Sequence, residues 1–248
     1  YFAQLNVAPA DAQSFLEGKI LLEYGPGDLP GVALLMVAQG ARKVYCVDRL
    51  PLVRLSPKNV GVLHQLIDSC EGLQRDRLLA CLANPADPGV GFKPERIEYI
   101  VRPSGLSGMV SAVDMVLSRA VLEHVNDLAA TFADMVAALR PGAMAIHLVD
   151  LGSHGLHKAT PLDFLLWSPS MWDWMYSEKG VPNRWRVDHY RKIVAGLPLV
   201  HSEFVPTKFA TASEVAQVRR LLPPVFKAIN DDDLSWLGFW LVMQKGQA

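Results

Sequence analysis

Apolar residues in this chain gather into short, nearly unbroken runs punctuated by glycine and proline, with longer stretches of helical spacing between them. The first run, Lys19-Ile-Leu-Leu-Glu-Tyr24, reads as a strand and breaks at Gly25-Pro-Gly-Asp-Leu-Pro-Gly31. A helix-like stretch, Val32 to Gln39, follows. Gly40 stops it, and Lys43-Val-Tyr-Cys-Val-Asp48 reads as a second strand ending on an acid. Strand, glycine turn, helix, strand predicts a βαβ unit with a right-handed crossover. The pattern repeats downstream. A helical insertion spans about 51–93, including Val60–Leu82, before a strand at Arg96–Val101. Ala112–Leu117 is a strand leading into a helix over Val121–Leu139, which Arg140-Pro-Gly142 should end ahead of a strand over Ala143–Val149. The C-terminal part reads as strand Leu199–Val205, helix Ser213–Ile229 and strand Trp236–Met243. Continuous apolar strands suit a parallel sheet covered on both faces by helices. The expectation is therefore α/β, mostly parallel, with residues 1–248 forming a single domain.

Composition narrows this picture. With 248 residues the chain can bury roughly 70–75% of its unfolded surface and needs no disulfide or structural metal to hold a core. Half of its positions are hydrophobic and the net charge is −1, which excludes disorder and argues against a dedicated nucleic-acid binder. No apolar run reaches the ~18 residues of a membrane span. Cys46, Cys70 and Cys81 form no CxxC pair and no even framework, so a reducing, cytoplasmic location is expected.

The chemistry begins at the first turn. Glycines there let the backbone approach a ligand, and the following helix start offers free N–H groups. Asp48, at the end of the second strand, suits ribose hydroxyls. On these features alone either a dinucleotide or another adenosine cofactor fits, and a nicotinamide-dependent oxidoreductase is the alternative enzyme. The dinucleotide fingerprint G-x-G-x-x-G is not met, because the third glycine, Gly31, falls one position late behind Pro30.

The block Leu21–Gly27 resembles the first motif of class I S-adenosylmethionine-dependent methyltransferases. The resemblance continues through Val44–Asp48, Asp114–Val125, Leu139–Gly142 with its following strand, and the closing Leu237–Lys245, in the family's order. It implies a Rossmann-like, doubly wound, seven-stranded sheet whose last strand is antiparallel, with S-adenosyl-L-methionine across its C-terminal edge. By position, Glu23, Gly25 and Gly27 would line the methionine part, Asp48 would hold the ribose, and Ser118 would face the cofactor. Near the adenine stand Arg102, Pro103 and Ser104, without the family's frequent acid. Some O-methyltransferases of this class hold a metal through a Glu-x-x-Glu-His run plus a later His. Here Glu123-His124 keeps part of that run, but Ala120 replaces the first acid, so no metal is expected. A methyltransferase-like partner subunit without cofactor is the reading from outside enzymology; the intact glycine turn and Asp48 speak against it.

Acceptor chemistry is expected after the strand Ala143–Val149, at the same sheet edge as Gly25 and Asp48. His147, Asp150, His154 and His157 cluster there, and a histidine held by a carboxylate makes a suitable general base. The cap or lid segment, about 154–190, carries four of the six tryptophans. Its Phe164, Trp167, Trp172, Trp174, Tyr176 and Trp185 are candidates for a substrate wall, with Trp167 and Trp172 foremost. Arg184 and Arg186 are candidates for clamping an anionic group. The Asp150/His154 loop, Pro161–Phe164 and Asn183–Arg186 together look like methyltransferases of polysaccharide and glycan biosynthesis. That resemblance implies a sugar or glycan hydroxyl as acceptor.

Overall fold

Seven strands form one sheet in the computed structural model, which describes residues 1–156, 158–176 and 182–247. The expected βαβ unit is present as β1 (Ile20–Tyr24), α2 (Gly31–Ala38) and β2 (Lys43–Asp48), after a short α1 (Ala12–Leu16). The helical insertion holds two helices, α3 (Pro57–Asp68) and α4 (Gly72–Cys81). Then come β3 (Ile97–Val101), β4 (Val113–Arg119), α5 (Leu128–Ala138) and β5 (Leu139–Asp150). The remaining elements are α6 (Pro169–Tyr176), α7 (Val187–Val194), β6 (Leu199–Phe209), α8 (Ala212–Arg219), α9 (Pro224–Lys227), α10 (Asp231–Ser235) and β7 (Trp236–Lys245).

The strand order is β3-β2-β1-β4-β5-β7-β6, and β7 runs antiparallel to both of its neighbours. The order reverses between β1 and β4, which in open α/β sheets is where a crevice for ligands forms beyond the strand ends. Leu21, Val44, Met115 and Leu117 pack on one face against α2 and α4, while Leu22, Val116, Ala145 and Phe239 pack on the other against α5 and α7.

Local chemistry explains where the elements depart from the sequence pattern. The helix expected over 121–139 starts only at Leu128, because Asp127 caps it by accepting the Ala130 N–H at 2.8 Å. Residues Leu122–His124 form a separate single turn. The expected stop at Arg140-Pro-Gly142 lies inside β5, where the pairing with β4 shifts register between Val113 and Met115. The helix expected over 213–229 divides at Pro223-Pro224, since proline cannot donate to the preceding turn. Among the described residues, no helix is long and apolar enough to cross a membrane.

Candidate functional site

A cavity of about 580 Å³ opens at the C-terminal ends of β1, β2 and β4, a size suited to a cofactor. Its floor is the first turn. Gly25 and Gly27 both hold left-handed backbone (φ +64° and +74°), which glycine adopts without steric cost. The Gly25 N–H donates to the Val47 carbonyl at 2.9 Å, tying the turn to β2. A Cβ added at Gly25 would strike the Val121 side chain, so this glycine is required by both conformation and space. Asp48 lines the cavity, and its Oδ1 accepts the Leu50 N–H at 3.0 Å.

The far wall is the loop after β3, with Pro103, Ser104 and Leu106 on the cavity. A residue that sequence reasoning passed over fixes this wall. Asp134 of α5 accepts the N–H groups of Ser107 (2.6 Å) and Gly108 (2.8 Å) and pairs with the Tyr24 hydroxyl. The available signal was a lone carboxylate in the otherwise apolar Leu128–Ala138. Burial and the Asp134 carboxylate push the Tyr24 phenol up, so it stays protonated as the donor of this pair.

Two of the expected cofactor residues lie elsewhere than the resemblance implies. Glu23 is not on the cavity wall; it is buried in the sheet beside the Cys46 thiol, 3.8 Å from Sγ. Burial pushes its carboxyl up to about 7, against smaller opposing hydrogen bonds from Cys46 and the Ala33 backbone. Ser118 is also fully buried, and its Oγ meets His147 Nδ1 at 2.8 Å across the β4–β5 pair. This pairing corrects the catalytic expectation for His147. The ring is sealed between strands, and burial pushes it down to about 3, so it is neutral throughout the physiological range. A sheet interior gives it no path to a substrate.

Asp150 and His154, in contrast, converge. Asp150 Oδ1 accepts the Gly152 N–H at 2.7 Å, and its Oδ2 lies 3.8 Å from His154 Nε2. His154 adopts left-handed backbone (φ +51°) ahead of Gly155 (φ +82°), which turns the loop back toward the sheet. It faces two residues of the turn after β4. Its Nε2 is 4.0 Å from Glu123 Oε1, and its ring meets His124 edge-on with centroids 4.8 Å apart. Glu123 is 1% exposed, and the backbone at Glu123 and Asp150 supplies the hydrogen bonding its carboxyl has. Burial, with a smaller contribution from Asp150, pushes its carboxyl up to about 8. His124 lines the cofactor cavity, so the cluster borders it directly. By sequence alone Glu123-His124 is set aside, because Ala120 stands in place of the first acid of the run. His157 lies outside the described residues, as do side-chain details of Tyr176.

The cap departs most from expectation. Arg184 is buried and donates to the Trp167 carbonyl (2.7 Å) and the Phe164 carbonyl (3.4 Å), with its guanidinium over the Trp172 ring at 4.5 Å. Arg186 is fully buried and donates to the carbonyls of Leu151 (2.7 Å), Leu234 (3.1 Å) and Trp236. Neither guanidinium is presented to a substrate; each staples loops together. Trp172 is buried too, donating to the Pro182 carbonyl at 3.1 Å and packing with Phe164 into a third core shared with α8 and α9. Trp167 is 40% exposed but does not line the cavity. Asn183, read beside the two arginines, has a different task. Its Nδ2 donates to the carbonyls of Leu122 (2.9 Å) and Val125 (3.2 Å), and its own N–H donates to the Glu123 carbonyl at 2.7 Å. It clamps the turn that carries Glu123 and His124.

Comparison with known proteins agrees with this fold. The chain is similar in fold to an S-adenosylmethionine dependent methyltransferase from Mesorhizobium loti, at 17% identity over 93% of this chain and 92% of that one, with a TM-score of 0.51. It is similar as well to phosphoethanolamine N-methyltransferase 2 of Haemonchus contortus, solved with S-adenosyl-L-methionine, at 16% identity and a TM-score of 0.50. That likeness covers 93% of this chain and 49% of the other. A search of curated protein sequences finds no match. The family model described as a methyltransferase domain matches residues 3–197, from before β1 to beyond α7, and the chain therefore belongs to the methyltransferase domain family.

Proposed function

We propose that the protein transfers the methyl group of S-adenosyl-L-methionine to a hydroxyl of a small molecule, with a sugar or glycan hydroxyl as the first class to test. The observation that carries this reading is the adjacency of two different surfaces. The cavity over Gly25, Gly27 and Asp48 suits an adenosine cofactor, and the polar cluster of Asp150, His154, Glu123 and His124 stands at its border. Asp48 holds the ribose, the glycine turn admits the methionine portion, and Asp150 with His154 receives the acceptor. In the reaction the acceptor oxygen forms a bond to the methyl carbon. The carbon–sulfur bond breaks with its electron pair on sulfur, and the hydroxyl proton leaves to a base. Alignment supplies most of the acceleration for such an in-line displacement, and proton removal adds to it. The sugar assignment rests on the looser resemblance alone, since the arginines that contributed to it are structural staples.

Calorimetric titration with S-adenosylhomocysteine and with NAD tests the cofactor. Micromolar binding of the first and none of the second is expected; the reverse would establish the oxidoreductase alternative. Isotope-labelled methyl transfer to a panel of sugars and other hydroxyl compounds then tests the acceptor, and label found only on nitrogen or carbon would overturn the hydroxyl assignment.

A further inference from the structure

A side-chain bridge spans the cofactor cavity. Arg49, the first residue past β2, donates from Nη1 to Asn126 Oδ1 at 3.1 Å, just ahead of α5. Both residues line the cavity. In the sheet β1 stands between β2 and β4, and β1 leads into the Gly25–Gly27 turn that floors the cavity. Neighbouring strands lie about 4.8 Å apart, so β2 and β4 are separated by roughly 10 Å, a gap that an arginine and an asparagine close together. The bridge therefore joins opposite walls across the floor. Arginine carries donors only, so it is the amide oxygen of Asn126 that faces it. The third wall packs against its base: a Cβ added at Gly105 would stand 3.6 Å from the Arg49 Cβ.

The backbone on each side of the bridge is pinned. Beyond β2, Asp48 Oδ1 accepts the Leu50 N–H at 3.0 Å. The Tyr99 hydroxyl donates to the Leu50 carbonyl at 2.8 Å and accepts the Leu52 N–H at 3.0 Å. Before α5, Asn183 holds the Val125 carbonyl at 3.2 Å and Asp127 caps the helix, so Asn126 stands between two fixed residues. What is left to move is the pair of side chains. Arg49 is half-buried and Asn126 is exposed, and a surface bond of this kind adds little to the ligand-free fold. Its position gives it a use. A ligand that reaches from Asp48 to the glycine turn must share the cavity with it.

We propose that Arg49 and Asn126 form a latch that closes over the bound cofactor and sets the rate at which S-adenosylhomocysteine leaves. The latch rests on the methyl-transfer reading, which makes S-adenosylhomocysteine the product that must depart before the next turnover. In the empty cavity water competes for the bond, and side chains at an open surface change rotamer within nanoseconds. Entry of the cofactor is therefore unhindered. With the cofactor seated, water is excluded from the inner side of the bridge, and the hydrogen bond strengthens in the lower local dielectric. Opening then costs more than it did before binding. Release slows while entry does not, and affinity rises by the same factor.

The test measures the full chain with tritiated S-adenosylhomocysteine, release by a rapid-filtration chase with unlabelled ligand and affinity by calorimetry. Arg49→Met keeps the apolar stem and removes the donors. It should release the ligand about tenfold faster, the low end for a hydrogen bond to a charged group, and bind it correspondingly more weakly. Asn126→Ala should do the same, and the double variant should be no faster than either single one. Asn126→Asp keeps an oxygen toward the guanidinium and should release no faster than the parent. Ligand-free melting temperatures should match throughout. Unchanged release in the single variants, additive acceleration in the double variant, or faster entry with unchanged release would each overturn the latch. A parent that does not bind S-adenosylhomocysteine would overturn the methyl-transfer reading and the latch together, whereas binding with release insensitive to both residues overturns the latch alone.

Discussion

The first turn concentrates several requirements in few residues. Asp48 lines the cavity with one oxygen already engaged by the Leu50 N–H, so its geometry is set before ligand arrives. Asp48→Ala should weaken S-adenosylhomocysteine binding by about 1–3 kcal/mol, as expected for charged hydrogen bonds to ribose, with little change in melting temperature. Gly25→Val should cost more, because the new side chain meets Val121 and left-handed backbone disfavours a branched residue. Calorimetry on both variants checks the order; equal affinities across the series would move the cofactor elsewhere. Glu23 makes a different prediction. Its carboxyl sits near 7 in the fold against 4.5 ordinarily, because burial outweighs the opposing hydrogen bonds from the Cys46 thiol and the Ala33 backbone. Between those values the native protein keeps a proton that the unfolded chain has lost. Glu23 therefore lowers stability as pH rises from about 4.5 through about 7, by an amount on the order of 3 kcal/mol. In urea unfolding of the ligand-free protein, Glu23→Gln should gain on the parent between pH 5 and pH 8, and a constant difference would refute the assignment.

Among the elements, the cap shows how one composition serves packing rather than recognition. Four tryptophans and two arginines suggest a binding wall in the sequence, yet Trp172 and Phe164 join α8 and α9 in a third core. Arg186 ties the end of β5, the end of α10 and the start of β7 through three carbonyls. Arg186→Ala should strand those carbonyls and cost roughly 3 kcal/mol or more in denaturant unfolding, while the folded fraction keeps its cofactor affinity. A variant of parental stability that loses substrate affinity would restore Arg186 to the substrate site. Asn183 illustrates the same lesson at shorter range, since its amide shapes the turn after β4 from sixty residues away.

For the whole molecule, the reversal of strand order between β1 and β4 creates the cavity, and any ligand selective for the native state stabilises it. S-adenosylhomocysteine at about a hundredfold excess over its Kd should add ~2.7 kcal/mol, or about 5–10 °C in melting temperature for a chain of this size. NAD should add nothing. Differential scanning fluorimetry checks this, and a shift with NAD alone would contradict the proposed cofactor. Much of this architecture was legible in the chain. Unbroken apolar runs marked β1, β2, β4 and β5 because strands covered on both faces need no polar alternation. The glycine turn was legible because left-handed backbone leaves few residues to choose from. What lay between helices was less so: proline and capping residues act over one or two positions, which an apolar period averages away, and so Leu128 and Pro223 set ends that periodicity placed elsewhere. The orientation of side chains was decided only in three dimensions. Nothing near His147 in the chain tells that Ser118 will seal it, nor do the neighbours of Arg184 and Arg186 supply the carbonyls they bind. Glu123 meets His154 for the same reason. The hydrophobic pattern specifies which strands are buried, whereas the partner of each polar group is set by the register and crossing of segments far apart in the chain, which the one-dimensional pattern does not carry.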